Sequence, residues 1–128
     1  MRVLLDTHSL IWWLDGGPRL SARAKGAIRT HRNEVLVSAA TVWEIALKVR
    51  SGKLSIALNP GRDLVGVIAD QGFLPLAVTL VHAQQSGNLG GTHRDPFDLL
   101  LMAQALLNKL AVVSADRVFD AYGINRIW

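Results

Sequence analysis

Short apolar runs alternate with amphipathic stretches along the chain. The runs are rich in Val, Leu and Ile, which is typical of strands buried on both faces of a sheet. They predict strands at 2–5, 34–38, within 73–78, at 110–114 and at 124–127. Spacing and capping signals predict helices at 7–14, 21–30, 40–50, 62–71, 79–86 and 96–109. Alternation of this kind predicts an α/β fold with a mostly parallel sheet covered by helices on both faces.

Length and composition narrow the class of protein. A chain of 128 residues that is 50% hydrophobic is expected to form one domain over residues 1–128, burying about two-thirds of its unfolded surface. No run approaches the roughly 20 apolar residues of a membrane span, and Asp6 interrupts the first run too early for a signal segment. The absence of cysteine favours a reducing cytosol. We therefore expect a cytoplasmic protein without a membrane partner.

Four of the ten acidic residues are predicted to meet at one edge of the sheet. Asp6 and Asp116 each follow a predicted strand, Glu44 lies in the helix after the second strand, and Asp98 lies in the first turn of the helix 96–109. Ligands of such sheets bind beyond the carboxyl ends of the strands. Crowded carboxylates resist ionisation unless a cation holds them. These hard oxygen donors predict a Mg²⁺ or Mn²⁺ site, with one or two ions left open.

Each acid also has a structural interpretation. Asp6 could cap the helix that begins at Thr7, and Asp116 could cap a turn or short helix after it. Glu44 could form an exposed i,i+4 pair with Lys48, since a helical wheel places both away from the apolar face. None of these positions is decisive alone.

The segment around Pro96 separates two neighbouring aspartates. Proline is favoured at the first helical position, so Asp95 is predicted to be the N-cap and Asp98 the third residue of the helix. The positive end of the helix would keep the Asp98 carboxylate ionised, as a metal ligand must be. We therefore favour Asp98 over Asp95 as the ligand, with Asp95 in a supporting role.

Other polar and aromatic residues have weaker assignments. The hydroxyls of Thr7 and Ser114 could hold a water or a phosphate, although local capping is favoured for Thr7. His8 could approach the acids or simply satisfy a backbone carbonyl, and the histidine spacing does not match a zinc site. Three tryptophans are expected to be core or dimer contacts rather than platforms for bases: Trp12, Trp13 and Trp43.

The charge distribution is uneven. The net charge is +4, and nine of the fourteen Lys and Arg residues lie in the first 53 positions, five of them between Arg19 and Arg32. A solvated helix face and a surface for a polyanion both explain this segment.

The motifs together resemble a known family. LLDTH at 4–8, TVWEI at 41–45, HRDPFDLLLMAQA at 93–105 and VSAD at 113–116 are similar, in this order, to the PIN-domain family, specifically its VapC-type toxin ribonucleases. The resemblance spans nearly the whole chain. One position departs from the pattern: relatives often carry a basic residue after DPFD, where this chain has Leu99.

The resemblance implies a fold, an activity and partners. The fold would be a three-layer α/β/α PIN-like domain with about five strands in a mostly parallel sheet. The activity would be Mg²⁺- or Mn²⁺-dependent endoribonuclease cleavage of RNA by metal-activated water. The chain would be a homodimer masked by a cognate antitoxin. The catalytic and metal-binding positions carried over by motif are Asp6, Glu44, Asp98 and Asp116.

Several competing functions remain open. A haloacid-dehalogenase-type phosphatase would need a second Asp two residues after the first, where this chain has His8, and a phospho-receiver would need paired acids after the first strand. A catalytically idle PIN-like module that binds nucleic acid or protein is a closer alternative, as is a nuclease in general RNA processing. DNA is also possible as the substrate, because no residue that reads a 2′-hydroxyl is identifiable.

Overall fold

The computed structural model of the chain describes residues 1–58 and 61–128. The strands are β1 (Arg2–Leu5), β2 (Glu34–Ser38), β3 (Leu74–Leu76), β4 (Ala111–Val113) and β5 (Arg126–Ile127). The helices are α1 (Thr7–Leu14), α2 (Ala22–Arg29), α3 (Ala39–Arg50), α4 (Leu64–Asp70), α5 (Leu80–Asn88) and α6 (Pro96–Asn108). A 3-10 helix spans Arg117–Tyr122. The predicted alternation of strands and helices is therefore confirmed.

The strands form a sheet in the order β3-β2-β1-β4-β5, which has five members within the described residues. Every neighbouring pair is parallel, so the sheet is wholly rather than mostly parallel. The chain adds β2 and β3 on one side of β1, then returns to add β4 and β5 on the other side. The order therefore reverses between β1 and β4, and such a switch point opens a crevice at the carboxyl ends of the strands.

Alternate residues of the central strands face opposite layers of helices. Val3 and Leu5 belong to an apolar cluster with residues of α1, α2 and α4. Leu4 points the other way, into a cluster with residues of α6 and the 3-10 helix. All three side chains are fully buried. The sheet thus has one hydrophobic layer on each face, as its continuous apolar strands predicted.

Capping side chains set the helix boundaries. Ser21 is the N-cap of α2, as predicted, and its hydroxyl accepts a hydrogen bond from the Ala24 amide at 3.0 Å. The helix predicted from residue 62 begins later, at Leu64, because the Asp63 carboxylate accepts from the Gly66 amide at 2.8 Å. Across the described residues, no helix has the length and apolar character needed to cross a membrane.

A polar contact joins α5 to α6 beside the sheet. The buried His82 accepts a hydrogen bond from the Thr79 amide at Nδ1, 3.1 Å away, and its own amide donates to the Thr79 hydroxyl at 3.1 Å. The buried Gln104 of α6 donates to the Ala77 carbonyl at 3.2 Å, and its Nε2 also lies 3.2 Å from His82 Nδ1 in α5. These bonds fix the start of α5 against α6, the helix that carries Asp98.

The burial of Leu4 predicts a large loss of stability when its side chain is shortened. Leu4→Ala should lower the free energy of unfolding by about 2 to 5 kcal/mol, because it leaves a cavity between the sheet and α6. Urea denaturation measures the change. Leu80→Ala is the matched control, since Leu80 is 91% exposed, and it should stay within about 0.5 kcal/mol. Equal effects of the two substitutions would contradict the assigned layers.

Candidate active site

The four predicted acids lie on elements that start at the carboxyl edge of the sheet. Asp6 directly follows β1 and is the N-cap of α1. Asp116 follows β4 and is the N-cap of the 3-10 helix. Glu44 lies in α3, which begins where β2 ends, and Asp98 is the third residue of α6. The capping interpretations of Asp6 and Asp116 are confirmed, and they leave the carboxylates at the crevice.

Asp6 connects the two strands that flank the switch point. Its Oδ1 accepts a hydrogen bond from the Ser9 amide at 2.9 Å, and its Oδ2 accepts one from the Ser114 hydroxyl at 2.5 Å. The carboxyl group is buried, and this burial raises its pKa, although the bonds from Ser114 and Ser9 oppose the rise. Asp6 is therefore held in one orientation at an electrostatic cost.

Ser114 extends this contact to Asp116. The Ser114 hydroxyl oxygen accepts a hydrogen bond from the Asp116 amide at 3.0 Å while its proton is donated to Asp6. Asp116 itself is exposed, and its carboxylate accepts from the Val118 amide at 3.0 Å. Ser114 thus ties the backbone after β4 to the buried acid after β1.

Glu44 departs from the expected exposed pair. Its predicted ion pair with Lys48 is present, but Glu44 is only 5% exposed. The wheel failed because the buried side of α3 also faces α1 and α6, and that side contains Thr41 and Glu44 besides apolar residues. The Thr7 hydroxyl donates to Glu44 Oε1 at 2.6 Å. Local capping by Thr7 was therefore wrong, since Asp6 caps α1 and Thr7 binds a distant acid.

Asp95 caps α6 as predicted, but the expectation that the helix end keeps Asp98 readily ionised was wrong, because burial outweighs it. Asp95 is the N-cap of α6 and accepts from the amides of Phe97 and Asp98 at 2.9 and 3.1 Å. Asp98 instead contacts His93, with 3.0 Å between Oδ2 and Nε2. Burial raises the pKa of Asp98 to about 6; the His93 bond opposes this, and the charges of Asp95 and Asp6 add to it.

The candidate acids are held by three separate groups of contacts and do not form one preformed metal-binding cage. Ser114 links Asp6 to the backbone of Asp116, Thr7 links α1 to Glu44, and His93 contacts Asp98, whose pKa the charge of Asp6 also raises. Within residues 1–58 and 61–128, no group of three His, Asp or Glu side chains is close enough to share a metal ion as they stand.

Two contributors were missed in the sequence. His93 holds Asp98, and the only signal was its place in the same HRDPFD motif, five residues earlier. Ser9 bonds Asp6 through its amide, and its hydroxyl donates to the Val113 carbonyl at 2.9 Å. His8, which was considered as a site residue, is exposed and lies beside the Trp12 ring.

The tryptophans occupy two kinds of environment. Trp12 and Trp13 are half-buried against the cluster on the α1 face of the sheet. Trp43 is 53% exposed and meets Phe97 edge to face, with 5.0 Å between the ring centroids. Trp43 is therefore a surface residue of α3 and not part of the core.

Comparison with known proteins gives the class. A model of the PIN domain matches residues 3–125 of the chain, so the chain belongs to the PIN-domain family. Among characterised members it is similar to Ribonuclease VapC22 of Mycobacterium tuberculosis, with 30% identity over 118 residues that span 90% of this chain and 87% of that protein. The chain is thus a VapC-like PIN domain, and the resemblance found in its motifs is confirmed.

Solved structures share the fold. VapBC-1 from nontypeable Haemophilus influenzae matches with a TM-score of 0.67 and 15% identity, over 98% of this chain and 96% of that chain. VapBC2 from Rickettsia felis, bound to a promoter DNA fragment, matches with a TM-score of 0.65 and 14% identity, over 98% of this chain and 97% of that chain. FitAcB from Neisseria gonorrhoeae matches with a TM-score of 0.63 and 22% identity, over 97% of this chain and 95% of that chain. At these identities the likeness establishes the three-layer fold.

The raised pKa of Asp98 predicts how its substitution changes stability with pH. An acid whose pKa is higher in the folded state binds more protons there, so its unfavourable contribution appears as pH rises from about 4 to about 6. Asp98→Asn removes that cost and should raise the melting temperature at pH 8, with the gain disappearing near pH 4. Thermal unfolding at both pH values measures this.

Asp95→Ala is the matched control for this effect. It removes the cap of α6 and should lower stability by about 0.5 to 2 kcal/mol, mainly through the lost bonds to two amides. An Asp98→Asn protein that is less stable than the original at pH 8 would show that the carboxylate form is favoured in the fold.

Proposed function

We propose that the chain is a metal-dependent endoribonuclease that acts as the toxin of a toxin–antitoxin pair. The observation that carries the proposal is the set of carboxylates at the β1/β4 crevice, where the charge of Asp6 raises the pKa of Asp98 and Glu44 is buried beside Thr7. The likeness to a curated ribonuclease of the same family supports it.

The donor set fits Mg²⁺ or Mn²⁺. All the candidate donors are carboxylate oxygens, and Mg²⁺ binds through one or two carboxylates while it keeps several waters. Asp6 and Asp98 would hold the ion, with Glu44 and Asp116 adding negative charge, so a preformed cage of three side chains is not required. Burial raises the pKa values of Asp6 and Asp98 and so disfavours their ionised forms. A bound cation would offset this cost, because it favours the ionised forms.

In the proposed reaction, the bound ion would supply the chemistry and the residues of the chain would orient the carboxylates. The chemistry supplied by a bound divalent ion is the acidification of a water molecule and the neutralisation of charge on the phosphate. Ser114 orients Asp6, Thr7 orients Glu44 and His93 orients Asp98. In-line attack by water would leave a 5′-phosphate and a 3′-hydroxyl. The net charge of +4 and the exposed arginines of α2 favour a polyanionic substrate.

The toxin assignment includes two protein partners. Relatives with this fold were solved as VapBC and other toxin–antitoxin complexes, and we infer a cognate antitoxin for this chain. An apolar groove of about 380 Å³ between α3, α4 and β3 offers room for a hydrophobic segment of it. Exposed Trp43 and Leu47 on α3 support self-association as a homodimer.

A catalytically idle nucleic-acid-binding module is the second candidate. The observation that favours it is that Glu44 pairs with Lys48 and accepts from the Thr7 hydroxyl, so both of its oxygens already have partners within the protein. Metal dependence of RNA cleavage separates the two functions.

The acid edge predicts cleavage of RNA only with Mg²⁺ or Mn²⁺. EDTA should abolish cleavage, and Asp6→Asn should lower the rate by at least about 100-fold, because it removes a charged carboxylate that would hold the metal ion. Gel analysis of a labelled RNA measures cleavage, and Mn²⁺ titration followed by electron paramagnetic resonance measures metal binding. Glu34→Gln is the control, since Glu34 is an exposed acid at the opposite edge of the sheet. Cleavage that persists in EDTA would refute the metal mechanism.

The partner assignment predicts growth arrest that depends on the carboxylates. Expression of the chain alone should arrest growth, and coexpression with the protein encoded directly upstream should relieve it, because an antitoxin would place a basic side chain on the acids. Asp6→Asn should abolish the arrest at an equal protein level. Arrest that survives Asp6→Asn would favour a binding role over a ribonuclease.

A further inference from the structure

A cleft lies beside the carboxyl edge of the sheet, and none of the four candidate acids lines it. It lies between the loop 90–94 and the 3-10 helix, and its volume is about 520 Å³. Val118, Ala121 and Tyr122 form its wall on the helix side. Both walls lead to candidate acids, because His93 contacts Asp98 at the end of the loop and Asp116 caps the 3-10 helix. The cleft therefore lies beside the proposed reaction site.

The two walls are held together. The Tyr122 hydroxyl donates a hydrogen bond to the Gly90 carbonyl at 2.8 Å, which joins the 3-10 helix to the loop. Gly91 has a φ of +87°, and a Cβ there would lie 2.8 Å from the Tyr122 hydroxyl. The loop can approach Tyr122 this closely only with glycine at that position. The cleft is thus a built feature, and its shape is coupled to the helix that Asp116 caps.

The chemistry of the walls suits a nucleotide. Arg94 is exposed at the cleft and, within the part of the chain that the structure describes, has no acidic partner at ion-pair distance. A free guanidinium binds phosphate through two donors in a fixed geometry. The opposite wall offers the Tyr122 ring and the apolar side chains of Val118 and Ala121, which suit a base or a ribose.

We propose that this cleft binds the nucleotide next to the scissile phosphate, with its phosphate on Arg94 and its base or sugar against Tyr122. The inference rests on the proposed ribonuclease function, because the strand must continue from the acid edge into the cleft. It assigns to Arg94 and Tyr122 a role in holding the substrate. An acidic side chain of a protein partner is the competing occupant, since it would also pair with Arg94.

Binding without cleavage tests the cleft directly. The probe is a short fluorescein-labelled single-stranded RNA of mixed sequence in EDTA, followed by fluorescence anisotropy at several salt concentrations. Arg94→Gln should weaken the affinity by roughly fivefold or more. It should also reduce the slope of log affinity against log salt by about 0.7, the change expected for one lost phosphate contact on a single strand.

Two control pairs make the result specific. Arg50→Gln removes another exposed arginine, at the end of α3 and so at the opposite edge of the sheet, and should leave affinity and slope unchanged. Ala121→Glu places an anion in the cleft and should weaken RNA binding more than Ala121→Gln, which has the same size. Ala121 is exposed, so neither change should unfold the protein.

The outcomes separate the cleft from the reaction. Equal affinities for Arg94→Gln and Arg50→Gln, or for the two Ala121 variants, would overturn the nucleotide site. The absence of RNA binding by the unaltered chain would overturn it too, as would an Arg94→Gln effect on antitoxin binding alone. A protein that cleaves RNA with Mg²⁺ while its cleft variants behave like the controls would keep the proposed function and lose only this inference.

Discussion

The hydrogen bond from Ser114 to Asp6 is the contact on which the arrangement of the site depends. It joins the carboxyl ends of β1 and β4 at the point where the strand order reverses. Without it, a buried carboxylate would face the crevice with only the Ser9 amide as a partner. Because Ser114 also accepts from the Asp116 amide, one hydroxyl fixes the carboxylate of Asp6 and the backbone of Asp116. The parallel sheet supplies the crevice, and this bond gives it a defined chemistry.

That chemistry opposes the stability of the fold. Burial raises the pKa values of Asp6 and Asp98, and the charge of Asp6 adds to the rise at Asp98. A fold selected for stability alone would place neutral side chains here. The cost is moderated by hydrogen bonds from Ser9, Ser114 and His93, which favour the charged forms. These bonds orient the carboxylates without neutralising them, as the proposed metal site requires.

The sequence predicted the layers, the parallel sheet and the caps at Ser21 and Asp95, because these depend on local spacing and on capping residues. It also brought the acids to one edge, since strand ends share an edge in a parallel sheet. The predicted exposure of Glu44 was wrong because a helical wheel of α3 alone does not include the second surface that packs on this helix. The cleft beside Tyr122 depends on how a loop meets a distant helix, which no local pattern encodes. The His93 contact is local, but the sequence does not show which way a loop side chain turns.

The double role of the acids explains how the edge can be both structural and chemical. Asp6 and Asp116 each accept a bond from a backbone amide at a helix start, and the bond from the Ser9 amide favours the charged form of Asp6. Each carboxylate has two oxygens with further lone pairs, so capping does not exhaust its capacity to bind a cation. The capping bond therefore fixes the orientation of the carboxylate that would bind the cation. Asparagine can still cap a helix but carries no charge, so exchange of Asp for Asn separates the structural role from the chemical one.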